Sequence, residues 1–385
     1  MLQIDNARFK SIIGYTSIML LVVYYLQGVF YPNDSIIAKL ALTAFLAIGV
    51  FCTFATLIQK PKIEILYAAL GFLFMNIAYY GFFENQLTNA FFHLSAFSQI
   101  KKVSFVFMSL FVFYYLSQNK ILNTNILMAI YFLFFICGII KFYELSPFVL
   151  KNTKNVNNYG YEFINILPFL FLNKRKIVSC ILFLVSAFIV IASLKRGAII
   201  ILMVFGIYFI YRLIKSLKIE ASHKLLITFA IFIVCGGIFL NLYNKSDIIQ
   251  ERVTQTINGD SSGRDNLYEA IWNNWKTDNS ITRVILGNGF SSTPVITGGR
   301  FAHNDWLELL ANSGLVGVGI YLIFFTFLAI TTFDKTLNQT NRSILISATI
   351  ILLLKSLFSM GYTDQGTIPI MIMIGYVLGK IETQE

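Results

Sequence analysis

About a dozen apolar runs, each long enough to cross a bilayer as a helix of roughly 20 residues, constrain this chain more than any other feature. They fall at roughly 11–31, 36–58, 63–83, 100–118, 121–143, 161–173, 176–194, 197–216, 224–243, 313–333, 342–360 and 366–381. In hydrocarbon a backbone has to satisfy its own N–H and C=O groups, so such runs fold as helices. The expected fold is all-α and integral to the membrane, with about 12 transmembrane helices and one large extracytoplasmic loop containing short helices. Composition agrees, since 57% of the residues are hydrophobic and only 13% are charged. The first run is too long for a signal-peptide core, lacks a small-x-small cleavage site and is followed by another span.

Charge sets the expected orientation. Arg8, Lys10, Lys60, Lys62 and Lys120, with clusters at 173–176 and 212–224, share one side, which the positive-inside rule makes cytoplasmic. Both chain ends are then cytoplasmic and the stretch 244–312 is extracytoplasmic. The expected organisation is a bundle of about nine spans over 1–243, a catalytic loop over 244–312, and about three spans over 313–385. The net charge of +11 sits mostly at helix ends, which favours lipid headgroups or an anionic substrate over nucleic acid.

Within the loop, Ser262-Gly263-Arg264-Asp265 has capping-box spacing, and Leu267, Ile271 and Trp275 recur behind it as one face of a short amphipathic helix. Gly287-Asn288-Gly289 marks a turn. A second helix is expected to start at Asn304 or Asp305, with Asp305-Trp306-Leu307-Glu308 as its cap, and to stop at Gly314.

Arg196, Arg252, Arg264, Arg283 and Arg300 gather on the extracytoplasmic side with His303. Guanidinium groups meet phosphate oxygens through paired hydrogen bonds, so a phosphate-bearing substrate fits, although any one of these arginines could simply be solvated. Lys195 and Arg196 stand between two spans with almost no loop, on the side the topology rule disfavours for basic residues, and Gly197 beside them could admit a substrate closely. His303 at a helix start beside Arg300 could act as a base, because nearby cations favour its neutral form. Glu64, Asn76, Lys101, Lys102, Asn165 and Lys355 lie within spans, where they are costly unless they face protein, water or the interface; for Lys355, snorkelling competes with function.

Several chemistries lack their motifs. There is no phosphate-binding loop, dinucleotide fingerprint or serine-hydrolase elbow. The three histidines show no metal-ligand spacing and no Asp-x-Asp pair stands in an outer loop, so neither a metal nor another cofactor is expected. Cys52, Cys137, Cys180 and Cys235 all fall in apolar runs and read as small buried hydrophobes.

Four segments together resemble the O-antigen polymerase and O-antigen ligase superfamily of bacterial polysaccharide enzymes. They are Ser-Leu-Lys-Arg-Gly-Ala at 193–198, Ser-Gly-Arg-Asp followed by Ile-Trp within 262–272, Leu-Gly-Asn-Gly-Phe at 286–290, and Phe-Ala-His-Asn-Asp-Trp-Leu-Glu-Leu-Leu-Ala-Asn-Ser-Gly-Leu-Val-Gly at 301–317. The last is the most specific, and the resemblance covers roughly 160–335. It implies cofactor-independent glycan transfer from an undecaprenyl-diphosphate-linked oligosaccharide to a glycan acceptor, in lipopolysaccharide or capsule-type biosynthesis at the bacterial inner membrane. Membrane lipids are further partners, and a chain-length regulator is compatible. By carry-over Arg196 and Arg264 hold the diphosphate and His303 is the base, which makes these three the catalytic candidates. Lys195, Arg283, Arg300 and Asn304 complete the site as substrate-binding candidates. The polymerase reading is preferred over the ligase or protein-directed transferase for a chain of this size. A flippase or transporter is the rival class, but it should show related halves and midplane polar residues, which are not visible here. A non-catalytic scaffold would leave the Arg/His arrangement unexplained.

Overall fold

The computed structural model describes residues 6–31, 35–83, 96–151, 159–216, 263–277 and 280–383, and isolated positions between 220 and 254. The expected span over 224–243, and Arg252, Ser262 and Cys235, therefore lie outside the described residues.

The described chain is helical, with α1 Asn6–Phe30, α2 Ile36–Ile58, α3 Glu64–Phe82, α4 Ala96–Gln118, α5 Thr124–Lys151, α6 Tyr159–Asn165, α7 Lys176–Ala192 and α8 Arg196–Lys215. Further along the chain come α9 Arg264–Lys276, α10 Ile281–Leu286, α11 Thr293–Ile296, α12 Asp305–Thr332, α13 Gln339–Phe358 and α14 Ile368–Glu382. Eight of these helices are long and apolar enough to cross a membrane. The protein is thus an all-α integral membrane protein. Lipid-facing side chains such as Leu40, Phe54, Phe74, Ile177 and Phe188 are exposed, as expected where the surrounding solvent is hydrocarbon.

Two helices form the centre. In α4 every residue from Val103 to Ser117 is buried, and in α14 every residue from Ile368 to Gly379. They run parallel and touch through Gly375 and Gly379, a small-xxx-small pair that lets two backbones approach. A Cβ at Gly375 would strike the Leu110 carbonyl oxygen, and one at Gly379 would lie 2.6 Å from Ser117 Cβ. The Ser117 hydroxyl donates to the Tyr376 carbonyl at 2.7 Å, closing the contact. The last expected span is short because it is a core helix, shielded from lipid along its length.

The expected sixth span, 161–173, is divided. α6 gives way after seven residues to a 3-10 turn, Leu167–Leu172, with Pro168 in its first positions, since proline cannot donate to the helical ladder. Both pieces are buried, and Asn165 donates to the Gly366 carbonyl at 2.6 Å. Lys355 corrects the snorkelling alternative. Its ammonium is fully buried and meets Asp364 Oδ2 at 2.7 Å and Thr367 Oγ1 at 2.8 Å.

α12 kinks at Gly314 (φ 59°, ψ −152°), where the expected stop falls, and continues onward as a span. The kink strips Ala311 and Asn312 of intrahelical partners, and the Gly287 turn supplies replacements. Asn288 N–H donates to the Ala311 carbonyl at 2.9 Å and Gly289 N–H to the Asn312 carbonyl at 3.0 Å. Gly287 is itself left-handed (φ 74°), and a Cβ there would lie 2.5 Å from Ser313 N. Both glycines are required by close backbone approach.

Candidate active site

The site forms where α13 ends. The last carbonyls of a helix have no intrahelical partner and carry the negative end of its dipole, so they attract cations and donors. Here the Phe358 carbonyl accepts from Arg264 Nη1 at 2.8 Å and from the Tyr161 hydroxyl at 3.1 Å. The neighbouring Leu357 carbonyl accepts from Asn304 Nδ2 at 3.1 Å. Segments far apart in the chain are thereby pinned to one helix end.

Arg264 is the first residue of α9, whose N-cap is the left-handed Gly263, while the Ser262 of the expected capping box lies outside the described residues. The amphipathic face is as expected in outline. Ile271 is buried against Ala302 and Ala311, with Tyr268 and Leu307 alongside, so the helix rests on the beginning of α12. Trp272 stays exposed.

Asn304, one residue after His303, is the N-cap of α12, so the cap lies one residue earlier than the Asp305 box. Its Oδ1 accepts from Trp306 N at 3.0 Å and Leu307 N at 3.1 Å. Glu308 reaches back to accept from Ala302 N at 2.5 Å, and Asp305 is turned inward. The Tyr321 hydroxyl and the Gly361 and Tyr362 N–H groups donate to the Asp305 carboxylate at 2.9 to 3.3 Å. Trp306 Nε1 donates to Ser356 Oγ at 3.0 Å and adds a further tie to α13.

His303 is held between these ties with φ 53°, a left-handed conformation that histidine tolerates better than most side chains. The ring keeps an exposed face, where a reactant can reach it. The protein around its other sides, with Arg264 and Lys195, disfavours the protonated form and lowers its pKa from 6.5 to about 4. The cations that act on it are therefore Arg264 and Lys195, whereas Arg300 was the expected one. The imidazole is neutral at pH 7 and becomes charged only as the pH falls through about 4. Replacing Lys195 with Gln removes one cation and should move this titration upward. The check is an NMR titration of ¹⁵N-labelled histidine, tractable with only three histidines in the chain, and an unmoved midpoint would exclude Lys195 as a cause.

Lys195 and Arg196 open α8 as its N-cap and first residue, and both are half-buried. Leu194 before them is left-handed (φ 56°), which is how α7 turns into α8 with almost no loop. Gly197 serves a different purpose from the expected approach of substrate, because protein fills the space beside it. A Cβ there would strike the Tyr161 hydroxyl and lie 2.7 Å from Phe358 Cβ. The glycine seats the Lys-Arg pair against the same helix end that holds Arg264.

The structure thus brings together Lys195, Arg196, Arg264, His303 and Asn304. Arg300 is exposed just upstream, where its N–H donates to Thr297 Oγ1 at 3.3 Å. Arg283 is exposed on α10 and lines a separate groove with Phe83, Asn274 and Asn288. Sequence reasoning missed Tyr161, Phe358 and Asp305. Among the described residues no three of His, Cys, Asp and Glu cluster as metal ligands would.

No curated protein matches the chain. Residues 181–322 match the family model described as O-antigen ligase, an interval that contains all of the candidate residues from Lys195 to Asn304. The match covers a little over a third of the chain and supports the resemblance to the O-antigen ligase and polymerase superfamily.

Proposed function

We propose that the protein is a polysaccharide polymerase. It transfers glycan from an undecaprenyl-diphosphate-linked donor to a lipid-linked repeat unit on the outer face of the bacterial cytoplasmic membrane. The observation that carries this reading is the meeting of Arg264, the Lys195–Arg196 pair and a neutral His303 at the C-terminus of α13. The distribution of basic residues supports cytoplasmic chain ends, with this end of the bundle outside.

In the reaction, His303 takes the proton of the acceptor hydroxyl, whose oxygen bonds to the anomeric carbon of the donor. The bond from that carbon to the diphosphate oxygen breaks, and its electron pair leaves with the diphosphate. Arg264 and Arg196, with Lys195, stabilise the charge that develops there. Attack opposite the leaving group in one step inverts the anomeric centre. The Asn304 side chain is occupied by capping and by the Leu357 carbonyl, so it positions His303. Arg283 and Arg300 then serve outlying parts of the glycan.

The test is expression in a host whose own polymerase has been deleted, with surface glycan resolved as a gel ladder. Restoration of long chains is expected, against a background of single repeats on the acceptor lipid. Failure to restore long chains there, with transfer of carrier-linked polymer restored in a host lacking its own ligase, would instead identify a ligase or protein-directed transferase.

A further inference from the structure

A second cavity, of about 470 Å³, opens at the same end of the bundle, between α1, α2, α4, α5, α6 and the segment after α13. Lys39, Lys101, Lys102 and Lys141 line it from three different helices, and the carboxylates facing them are Glu162 and Asp364. Asp364 is already bonded to the buried Lys355. None of the four lysines is in a salt bridge among the described residues. An excess of positive charge at the edge of an apolar bundle is costly unless an anion joins it.

The cavity also carries groups suited to sugar hydroxyls. Glu162 is exposed into it. Gln365 is oriented by Tyr24, whose hydroxyl donates to the amide oxygen at 2.7 Å, which leaves the amide nitrogen as the end available to a ligand. Its size is that of a small-molecule site.

The cavity and the first site share their walls. Tyr161 of α6 reaches the Phe358 carbonyl, while Glu162, the next residue, faces the cavity. α13 ends at Phe358 in one site, and the segment that follows reaches Asp364 to Gly366 in the other.

We infer that this cavity binds the glycosyl-diphosphate end of the acceptor, a second polyprenyl-diphosphate-linked oligosaccharide. The inference rests on the polymerase reading, in which donor and acceptor are both lipid diphosphates. The two sites differ in the way their tasks require. The donor's diphosphate leaves, and guanidinium forks follow the charge that develops on it. No bond to the acceptor's diphosphate is made or broken, so ammonium groups acting as point charges suffice to hold it. Four cations suit a diphosphate better than the single charge of a phospholipid phosphodiester.

The test is titration of undecaprenyl diphosphate into the full-length protein in phosphatidylcholine nanodiscs. The wild type should bind two equivalents. Lys101→Gln/Lys102→Gln should weaken one site by more than about tenfold and spare the other, and Arg264→Ala should do the reverse. Lys141→Gln replaces the double variant if that one is not monodisperse, with the same expectation. Added phosphatidylglycerol should displace neither equivalent. A single equivalent, lost in Arg264→Ala and untouched by the lysine changes, would overturn the second site and leave the donor site standing. Displacement of only the lysine-dependent equivalent by phosphatidylglycerol would overturn it in favour of a phospholipid headgroup. No binding at all by the wild type would overturn the polymerase reading as well.

Discussion

Asparagine at His303 lowers turnover of lipid-linked glycan by about 10²–10⁴-fold, the range for a lost general base, with little change in melting temperature. Asparagine is preferred to alanine because the backbone at 303 is left-handed (φ 53°). Asparagine visits that region readily, whereas most other side chains lose about 1–2 kcal/mol there. The substitution removes the base without adding strain, so a catalytic defect is separated from a folding one. The measurements are single-turnover rates with purified protein and the cellular glycan ladder at matched membrane abundance. Normal ladders from a stable variant would refute the base assignment and move a transporter to first place.

Alanine at Asp305 should produce the largest loss of stability, and activity should fall with it. The carboxylate is fully buried and receives the Tyr321 hydroxyl and the Gly361 and Tyr362 N–H groups. Removing it leaves three buried donors without an acceptor, at about 1–3 kcal/mol each. The loop after α13 loses its hydrogen bonds to Asp305, and the register of His303 and Phe358 then rests on the Asn304–Leu357 and Trp306–Ser356 bonds. Asp305→Glu keeps the carboxyl group but lengthens the arm within a closed space, so it should recover only part of the stability. Thermal unfolding in detergent reports the first effect and turnover the second. A wild-type melting curve for Asp305→Ala would show that the network does not hold the site.

Much of the fold was legible because a bilayer imposes a length. The run 36–58 coincides with α2, and most other described spans agree to within a few residues at each end. Burial was less legible, since hydropathy cannot tell a helix in lipid from a helix in a protein core. α4 contains Lys101 and Lys102 yet forms the centre, paired with the short helix α14. A signal for that pairing did exist in the Gly375–Gly379 spacing.

The candidate residues stood out as charges in an apolar chain. Their meeting point did not, because its acceptors are the backbone carbonyls of Leu357 and Phe358, and a carbonyl has no letter in a sequence. Tyr161 was hidden for a related reason, as one of twenty tyrosines in an aromatic-rich chain. The cap of α12 was misassigned to Asp305 by one residue because Asp and Asn both suit that position. Only the packed structure shows Asp305 turned inward.

The bond between Arg264 and the Phe358 carbonyl has a consequence for the thermodynamics of binding. A free arginine side chain loses about 2 kcal/mol of rotamer freedom when it is fixed. In Arg264 one N–H of the guanidinium is already held at 2.8 Å, and the remaining donors of the fork are aimed before any ligand arrives. That ordering was completed when the chain folded, so diphosphate association at this site should show a smaller entropic penalty than at the lysine-lined cavity, where ammonium groups on four-carbon stems lose more freedom per bond formed, although Lys101 already rests over the Phe97 ring at 4.6 Å.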